Sequence, residues 1–211
     1  MTTILIVDDH PAFRLVVNTH LSQLLGIANV FEAENGQTAV EMARQHLPDL
    51  AILDIDIPRI NGLDVIPRLK LAHSGIRVLV LSGQDPSVFA PRAMRSGAQG
   101  FVGKAQEMKE IMRGVEAVLA GYTVFPISIG GAGGSGSASA GAEEEKLKLL
   151  SDKELMILQM LSKGMSNKAI GDALFISDKT VSTYKSRIQE KLGVSSLAGL
   201  IEFATLQKLI D

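Results

Sequence analysis

The amino-terminal part of the chain alternates short apolar runs with amphipathic stretches. Five segments have the composition of strands: residues 4–7, 30–31, 50–53, 77–82 and 100–102. Runs rich in branched apolar residues are typical of strands that are buried on both faces of a parallel sheet. The pattern therefore predicts a parallel sheet with a dry interior.

The segments between these strands carry apolar residues at helical spacing. The first predicted helix begins at Pro11 and is expected to end at Gly26. The others follow Asn35-Gly36, cover about 63–72, run from Pro86 to Gly97, and cover about 106–120. Strands that alternate with helices predict an α/β fold, here a doubly wound five-stranded parallel sheet of the flavodoxin type.

The carboxyl-terminal part of the chain has only helical patterns. Ser151 and Glu154 form a capping-box pair ahead of an apolar run. Three further helices are predicted over residues 167–174, 178–192 and about 196–208. Four short helices with brief turns predict a small all-α domain of the helix-turn-helix type.

A Gly/Ser/Ala run, GGAGGSGSASAGA, separates the two patterns at residues 130–142. Such a composition cannot bury a core, so it is typical of a flexible linker. We expect a first domain over residues 1–125, a linker over 126–148 and a helical domain over 149–211.

Composition and charge exclude several classes of protein. The chain has no cysteine, which excludes disulfides and thiolate metal sites and fits a reducing compartment. The start, MTTILIVDDH, lacks the basic region of a signal peptide, and no stretch approaches the roughly 20 apolar residues of a membrane span. We expect a cytoplasmic protein with no membrane partner. Because the net charge is only −2, any nucleic-acid patch must be local.

Polar residues with complementary chemistry follow the predicted strands. They are Asp8, Asp9, Asp54, Ser82 and Lys104. Ligands of parallel sheets bind outside the carboxyl ends of the strands, and an ionised carboxylate there needs a cation or donors to offset its desolvation. Oxygen ligands without His or Cys favour Mg²⁺, and a carboxylate beside Mg²⁺ can accept a phosphoryl group. A hydroxyl and an ammonium can then bind the phosphoryl oxygens.

Each of these residues alone is more often a helix cap, a turn residue or a solvated charge.

The order of these residues along successive strand ends resembles the receiver domain of two-component systems over residues 1–121, and residues 149–209 resemble a LuxR-type helix-turn-helix. Together they resemble a response regulator of the NarL/FixJ family. The stretches GQDPSVFAPRAMRSGAQGF, AGYTVFP, GMSNKAI and KTVSTYK are similar to its BvgA-like subgroup.

The resemblance implies a role for each acidic residue. Asp54 is the expected phosphoacceptor, and Asp9 is expected to bind Mg²⁺ directly. Asp8 would act on the metal through a water molecule, and Asp56 would offer its backbone carbonyl. The phosphoryl donor would be a histidine kinase or a phosphotransfer protein.

The resemblance also implies a switch. Ser82 takes the position of the switch hydroxyl, Phe101 that of the switch aromatic, and Lys104 that of the lysine that pairs with the phosphoryl group. Phosphorylation is expected to draw Ser82 toward the phosphate and to let Phe101 turn inward. The protein is then expected to form a homodimer.

The helix predicted over 178–192 has two faces. At 100° per residue, one side faces the core with Val181, Tyr184, Ile188 and Leu192. Small polar and basic residues lie on the other side, as a reader of the DNA major groove requires. Ser182, Thr183 and Ser186 are the expected base contacts; Lys179, Thr180, Lys185, Arg187 and Lys191 are the expected phosphate contacts. The predicted partner is double-stranded promoter DNA.

Two alternatives belong to other classes. Asp54-Ile55-Asp56 matches the D-x-D signature of haloacid-dehalogenase-type phosphatases, but there the signature lies on the first strand, whereas Asp8-Asp9 comes first here. A regulator or adaptor that works without phosphorylation is the second alternative, and the complete set of acids, serine and lysine argues against it. We therefore predict a phosphorylation-regulated transcription factor rather than an enzyme.

Overall fold

The computed structural model describes residues 2–58, 60–126, 145–207 and 209–210. The contacts within the chain divide it into two compact units, which meet in the sequence between Gly131 and Ala132. Most of the linker predicted over 126–148, including the Gly/Ser/Ala run, lies outside the described residues.

In the first unit, strands and helices alternate as predicted. The elements are β1 Thr2–Val7, α1 Pro11–Leu21, β2 Ile27–Ala33, α2 Gly36–His46, β3 Leu50–Leu53, α3 Gly62–Ala72, β4 Arg77–Ser82, α4 Pro86–Ser96, β5 Gly100–Gly103 and α5 Met108–Leu119. The strands form one five-stranded sheet in the order β2-β1-β3-β4-β5, and every pairing is parallel. The predicted doubly wound fold is confirmed.

The register of the sheet explains how distant residues reach one edge. Val7 pairs with Leu53, and Leu53 pairs with Val80, so β1, β3 and β4 end at nearly the same level. Ser82 pairs with Gly103 at the end of β5. Asp8, Asp54, Ser82 and Lys104 therefore lie at or just beyond one edge of the sheet.

Local sequence sets most helix ends, but one predicted end was wrong. Asn35 caps α2 by accepting a hydrogen bond from the backbone N–H of Thr38, at 3.0 Å. The first helix ends at Leu21 rather than at Gly26, because the backbone N–H groups of Gln23 and Leu24 donate to carbonyls three residues back, not four. Gly26 instead has a φ of +92°, a left-handed conformation that glycine adopts without strain and that turns the chain into β2.

The described part of the second unit contains helices and turns but no strand. Its elements are α6 Asp152–Ser162, α7 Asn167–Leu174, α8 Asp178–Leu192 and α9 Leu197–Leu206. The predicted capping box is present, since Ser151 and Glu154 each accept a hydrogen bond from the other's backbone N–H. Ser166, Ser177 and Ser196 cap the three helices that follow. In the described part of the chain, no helix is long and apolar enough to cross a membrane.

Candidate functional site

Lys104 joins two acids that come from different strands. Its Nζ lies 2.6 Å from Oδ2 of Asp8 and 2.6 Å from Oδ2 of Asp54. Asp54 is only 2% exposed and Asp8 only 3%. Two buried carboxylates repel one another, so the ammonium between them stabilises the ionised pair. The predicted grouping of Asp8, Asp54 and Lys104 is present.

Burial and charge act in opposite directions on these groups. Burial raises the pKa of Asp54 from 3.8 to about 6, although Lys104 beside it acts to lower it. Burial would lower the pKa of Lys104, but the carboxylates of Asp54 and Asp8 outweigh it, so the pKa is raised overall. Lys104 is therefore a cation at neutral pH, whereas Asp54 without a bound metal holds its proton to a higher pH than an ordinary aspartate.

The raised pKa of Asp54 predicts a pH dependence of stability. The folded protein binds this proton more tightly than the unfolded chain, so stability falls as pH rises from about 4 through about 6. A shift of this size costs about 3 kcal/mol above that range. We expect Asp54→Asn to remove most of this pH-dependent loss of stability. In chelator, the variant should be more stable than the wild type by about 1–3 kcal/mol at pH 7.5, and no more stable at pH 4. Urea unfolding at both pH values measures this, and an equal gain at both would contradict it.

The acidic residues at this edge fit a divalent cation. Asp8, Asp9, His10 and Asp54 each place one ligand atom within 4.8 Å of all the others. Oxygen donors from three carboxylates suit a hard cation such as Mg²⁺, which keeps several of its own waters. Sequence reasoning missed His10, whose Nδ1 lies 3.1 Å from Oδ1 of Asp8 and 2.8 Å from Oδ1 of Asp9.

Asp56, predicted to offer its backbone carbonyl, has an exposed side chain. Its Oδ2 accepts a hydrogen bond of 2.6 Å from Nε2 of Gln84. The backbone N–H of Gln84 also donates to Oγ of Ser82, at 3.1 Å. Gln84 therefore connects the loop after β3 with the loop after β4, a link that the sequence pattern did not reveal.

The two predicted switch residues are both buried. Ser82 is 0% exposed and Phe101 is 2% exposed. Phe101 already lies inside in this conformation. The inward position that the predicted switch assigns to the phosphorylated state is the one that Phe101 occupies in this structure.

The first turn of α1 contributes two contacts that sequence reasoning also missed. The ring centroid of Phe13 lies 4.7 Å from Nζ of Lys104, a cation–π distance. Nη1 of Arg14 donates to the backbone carbonyl of Asp8 at 2.7 Å, while its Nε donates to Glu32 at 2.9 Å. The helical spacing of apolar residues in α1 predicts that the Phe13 side chain faces the core, but no local pattern identifies the partner of either side chain.

Gly62 leaves room for the loop that follows Asp54. A Cβ on Gly62 would lie 2.3 Å from Cα of Ile55 and 2.6 Å from the carbonyl oxygen of Asp54. Both neighbours are backbone atoms, so the loop itself would have to move. We expect Gly62→Ala to lower the free energy of unfolding by about 1–3 kcal/mol, measured by urea unfolding. Gly83→Ala is the matched control, because a Cβ there meets nothing within 4 Å; equal losses in both variants would contradict the argument.

The helix predicted to read DNA has the expected two faces. Val181, Ile188 and Leu192 are all 0% exposed. Tyr184, which was predicted on the same core side, is only half-buried, and its ring lies 5.9 Å from Nζ of Lys153 and 6.0 Å from Cζ of Arg187. The ring packs beneath two cations at the edge of the core.

The opposite face of α8 carries the predicted DNA contacts. Lys179, Ser182, Thr183, Ser186, Arg187 and Lys191 are exposed, and Thr180 and Lys185 are half-buried. Lys191 differs from the others because its Nζ donates to Oε2 of Glu154 at 2.7 Å and to the carbonyl of Leu149 at 3.1 Å. Burial would raise the pKa of Glu154, but the hydrogen bonds from Lys191 and Ser151 lower it overall. Lys191 thus holds the end of α8 against the start of α6, which leaves it the weakest candidate for a phosphate contact.

Two protein families match separate parts of the chain. The family described as "Response regulator receiver domain" matches residues 4–116. The family described as "Bacterial regulatory proteins, luxR family" matches residues 148–204. The two matches fall on the sheet-containing unit and on the described helices of the second unit.

Relatives match over nearly the whole chain. A putative transcriptional regulator from Pseudomonas aeruginosa is 50% identical over 210 residues, which cover 100% of both chains. The virulence-factor transcription regulator BvgA from Bordetella pertussis is 44% identical over 206 residues and 98% of both chains. The solved structure of RcsB from Salmonella enterica serovar Typhimurium shares the fold, with a TM-score of 0.71 at 22% identity over 97% of this chain and 98% of that chain. The chain is a transcriptional response regulator of the NarL/FixJ family, with a receiver domain followed by a LuxR-type DNA-binding domain.

Proposed function

We propose that this protein accepts a phosphoryl group on Asp54 from a histidine kinase or a phosphotransfer protein, and that phosphorylation controls its binding to promoter DNA. One observation carries the proposal. The ammonium of Lys104 lies 2.6 Å from carboxylate oxygens of both Asp8 and Asp54, at the end of the sheet where the acids collect. A phosphoryl group added to Asp54 would arrive beside a fixed cation.

The chemistry follows from these positions. An Oδ atom of Asp54 attacks phosphorus, the N–P bond of the phosphohistidine donor breaks, and the histidine leaves with the bonding electrons. The carboxylate must be ionised to attack, and burial, which raises the pKa of Asp54 to about 6 without a metal, opposes this ionisation. Lys104 then pairs with one phosphoryl oxygen, and the hydroxyl of Ser82 donates to another. The charges stabilise the transferring group without further covalent chemistry.

The acids supply a site for Mg²⁺, which would neutralise charge on the phosphoryl oxygens. Asp9 and Asp54 would bind the ion directly, Asp8 through a water molecule, and Asp56 through its backbone carbonyl. The exposure of Asp9 at the mouth of the cluster supports its role as a direct ligand.

The proposal is tested by labelling the protein with acetyl phosphate in the presence and absence of Mg²⁺. Reduction of the acyl phosphate with borohydride, followed by peptide mass spectrometry, identifies the modified residue. We expect one Mg²⁺-dependent modification per chain, at Asp54, and no continuing turnover of the donor. Modification at another residue would refute the assignment, and sustained phosphate release would favour a phosphatase instead.

Dimerisation and DNA binding are the proposed response to phosphorylation. The phosphorylated protein would form a homodimer in the cytoplasm and bind promoter DNA through α8. The receiver domain would extend over residues 1–125, the linker over 126–148 and the DNA-binding domain over 149–211. The two-faced character of α8 supports this proposal, as does the solved complex of RcsB with a promoter in the presence of a phosphomimetic.

Lys179 gives a test of the DNA-binding face. Its exposed side chain lies in the first turn of α8, where an ammonium would contact phosphate rather than bases. We expect Lys179→Ala to weaken binding to all duplexes and to reduce the slope of log affinity against log salt by about 1. Fluorescence anisotropy across a salt series measures this, with Lys163→Ala, an exposed lysine outside α8, as the control. A loss confined to one base position would contradict a phosphate role.

A further inference from the structure

Three hydroxyls on the exposed face of α8 have different hydrogen-bond partners. Oγ1 of Thr183 donates to the backbone carbonyl of Lys179 at 3.1 Å, and Oγ of Ser186 donates to that of Ser182 at 3.2 Å. Oγ of Ser182 instead accepts a hydrogen bond of 3.0 Å from Nδ2 of Asn167. One of the three hydroxyls is therefore held by a side chain from another helix.

A hydroxyl has one proton to donate and two lone pairs that accept. The hydroxyls of Thr183 and Ser186 donate their hydrogen bonds to carbonyls of the helix, so they offer a ligand only lone pairs. Ser182 has an occupied lone pair, and among the described residues its proton is given to no carbonyl of the helix. Toward a ligand, Ser182 therefore offers a proton.

The fold fixes the backbone position of Asn167. It is the first residue of α7, whose start is set by Ser166, since Oγ of Ser166 accepts from the backbone N–H of Ala169 at 3.1 Å. None of the three expected base contacts on α8, at positions 182, 183 and 186, is an amide side chain. The fold supplies one from α7, beside Ser182.

We propose that Asn167 is a positioning residue that fixes Ser182 as a hydrogen-bond donor to guanine in the major groove; this rests on the proposed DNA binding through α8. Guanine presents two acceptors there, N7 and O6, whereas adenine presents a donor at N6 beside its N7. Of the three hydroxyls, only that of Ser182 does not donate its proton to a helix carbonyl, so it is the one that the two acceptors of guanine match best. Thr183 and Ser186, as acceptors, suit the amino groups of cytosine or adenine instead.

The full-length protein, phosphorylated with acetyl phosphate, is first used to enrich duplexes from a random pool. Each guanine of an enriched duplex is then replaced in turn by 7-deazaguanine, which lacks N7, or by 2-aminopurine, which lacks O6. Affinities of the wild type, Ser182→Ala and Asn167→Ala are compared by anisotropy. Thr205→Val is the control for loss of a helix hydroxyl away from the DNA-binding face, because Thr205 lies on α9, where its Oγ1 donates to the carbonyl of Ile201 at 3.0 Å.

We expect one guanine at which a replacement weakens wild-type binding by about three- to tenfold. The same replacement should have no effect on Ser182→Ala or Asn167→Ala, while Thr205→Val should behave like the wild type. Replacements that weaken the variants as much as the wild type would overturn the inference, as would losses spread evenly over all positions. If the wild type enriches no duplex, the proposed DNA binding fails and this inference fails with it. If duplexes are enriched but guanine replacements affect Ser182→Ala and Asn167→Ala as they affect the wild type, only this inference is overturned.

Discussion

Asp54→Asn is expected to abolish Mg²⁺-dependent labelling by acetyl phosphate or by a phosphohistidine donor. The amide has nearly the shape of the carboxylate, so it fits the same buried position at the end of β3. It lacks the anionic oxygen that attacks phosphorus and that would ligate the metal. The expected result is complete loss of the label, in a protein that remains folded.

Asp56→Asn is the control for this experiment. Asp56 belongs to the same loop, but its side chain is exposed and is bonded to Gln84. Only its backbone carbonyl has a proposed role, and the substitution keeps that carbonyl. Labelling should therefore persist in Asp56→Asn. Undiminished labelling of Asp54→Asn would refute the assignment of the phosphoacceptor.

The sequence was sufficient to predict the edge of the sheet where this chemistry lies. Apolar runs located β1, β3 and β4, and the parallel sheet then required the residues after them to converge. What the pattern could not predict was which side chains would pair. Lys104 joins Asp8 to Asp54 from a position 50 residues after Asp54, because the register of β4 with β5 brings it there.

The contacts around this edge were missed for a related reason. Helical periodicity predicts that the apolar side chain of Phe13 faces inward, but not that its ring meets the ammonium of Lys104. It says nothing of Arg14, whose guanidinium reaches a backbone carbonyl and Glu32 on the edge strand β2. Contacts of this kind depend on the relative position of elements that are distant in sequence, which local patterns do not encode.

The same limit holds for α8. The helical wheel correctly separated Val181, Ile188 and Leu192 from the exposed face. It treated Lys191 as one of several equivalent cations, although Glu154 holds its ammonium. It also could not place Asn167 beside Ser182, because the two residues lie on different helices.

Lys104→Met is expected to cause the largest loss of stability among these substitutions. The variant keeps most of the side-chain volume but leaves the buried carboxylates of Asp8 and Asp54 facing each other without a cation. Breaking a buried ion pair by removing one partner typically costs about 3–5 kcal/mol. We expect a loss of that size at pH 8 in chelator, measured by urea unfolding. Lys109→Met, an exposed lysine on α5, should change stability little.

Two further measurements test whether repulsion between the carboxylates causes this loss. Lowering the pH toward 4 should recover much of the stability, because protonation of Asp54 removes one of the two charges. Adding Mg²⁺ at pH 8 should also recover part of it, since a divalent cation can replace the missing ammonium between the acids. If neither treatment restores stability, the loss comes from packing around Phe13 rather than from charge. If Lys104→Met is as stable as the wild type at pH 8 in chelator, Lys104 does not hold the two carboxylates ionised, and the contact that supports its pairing with the phosphoryl group has no energetic weight.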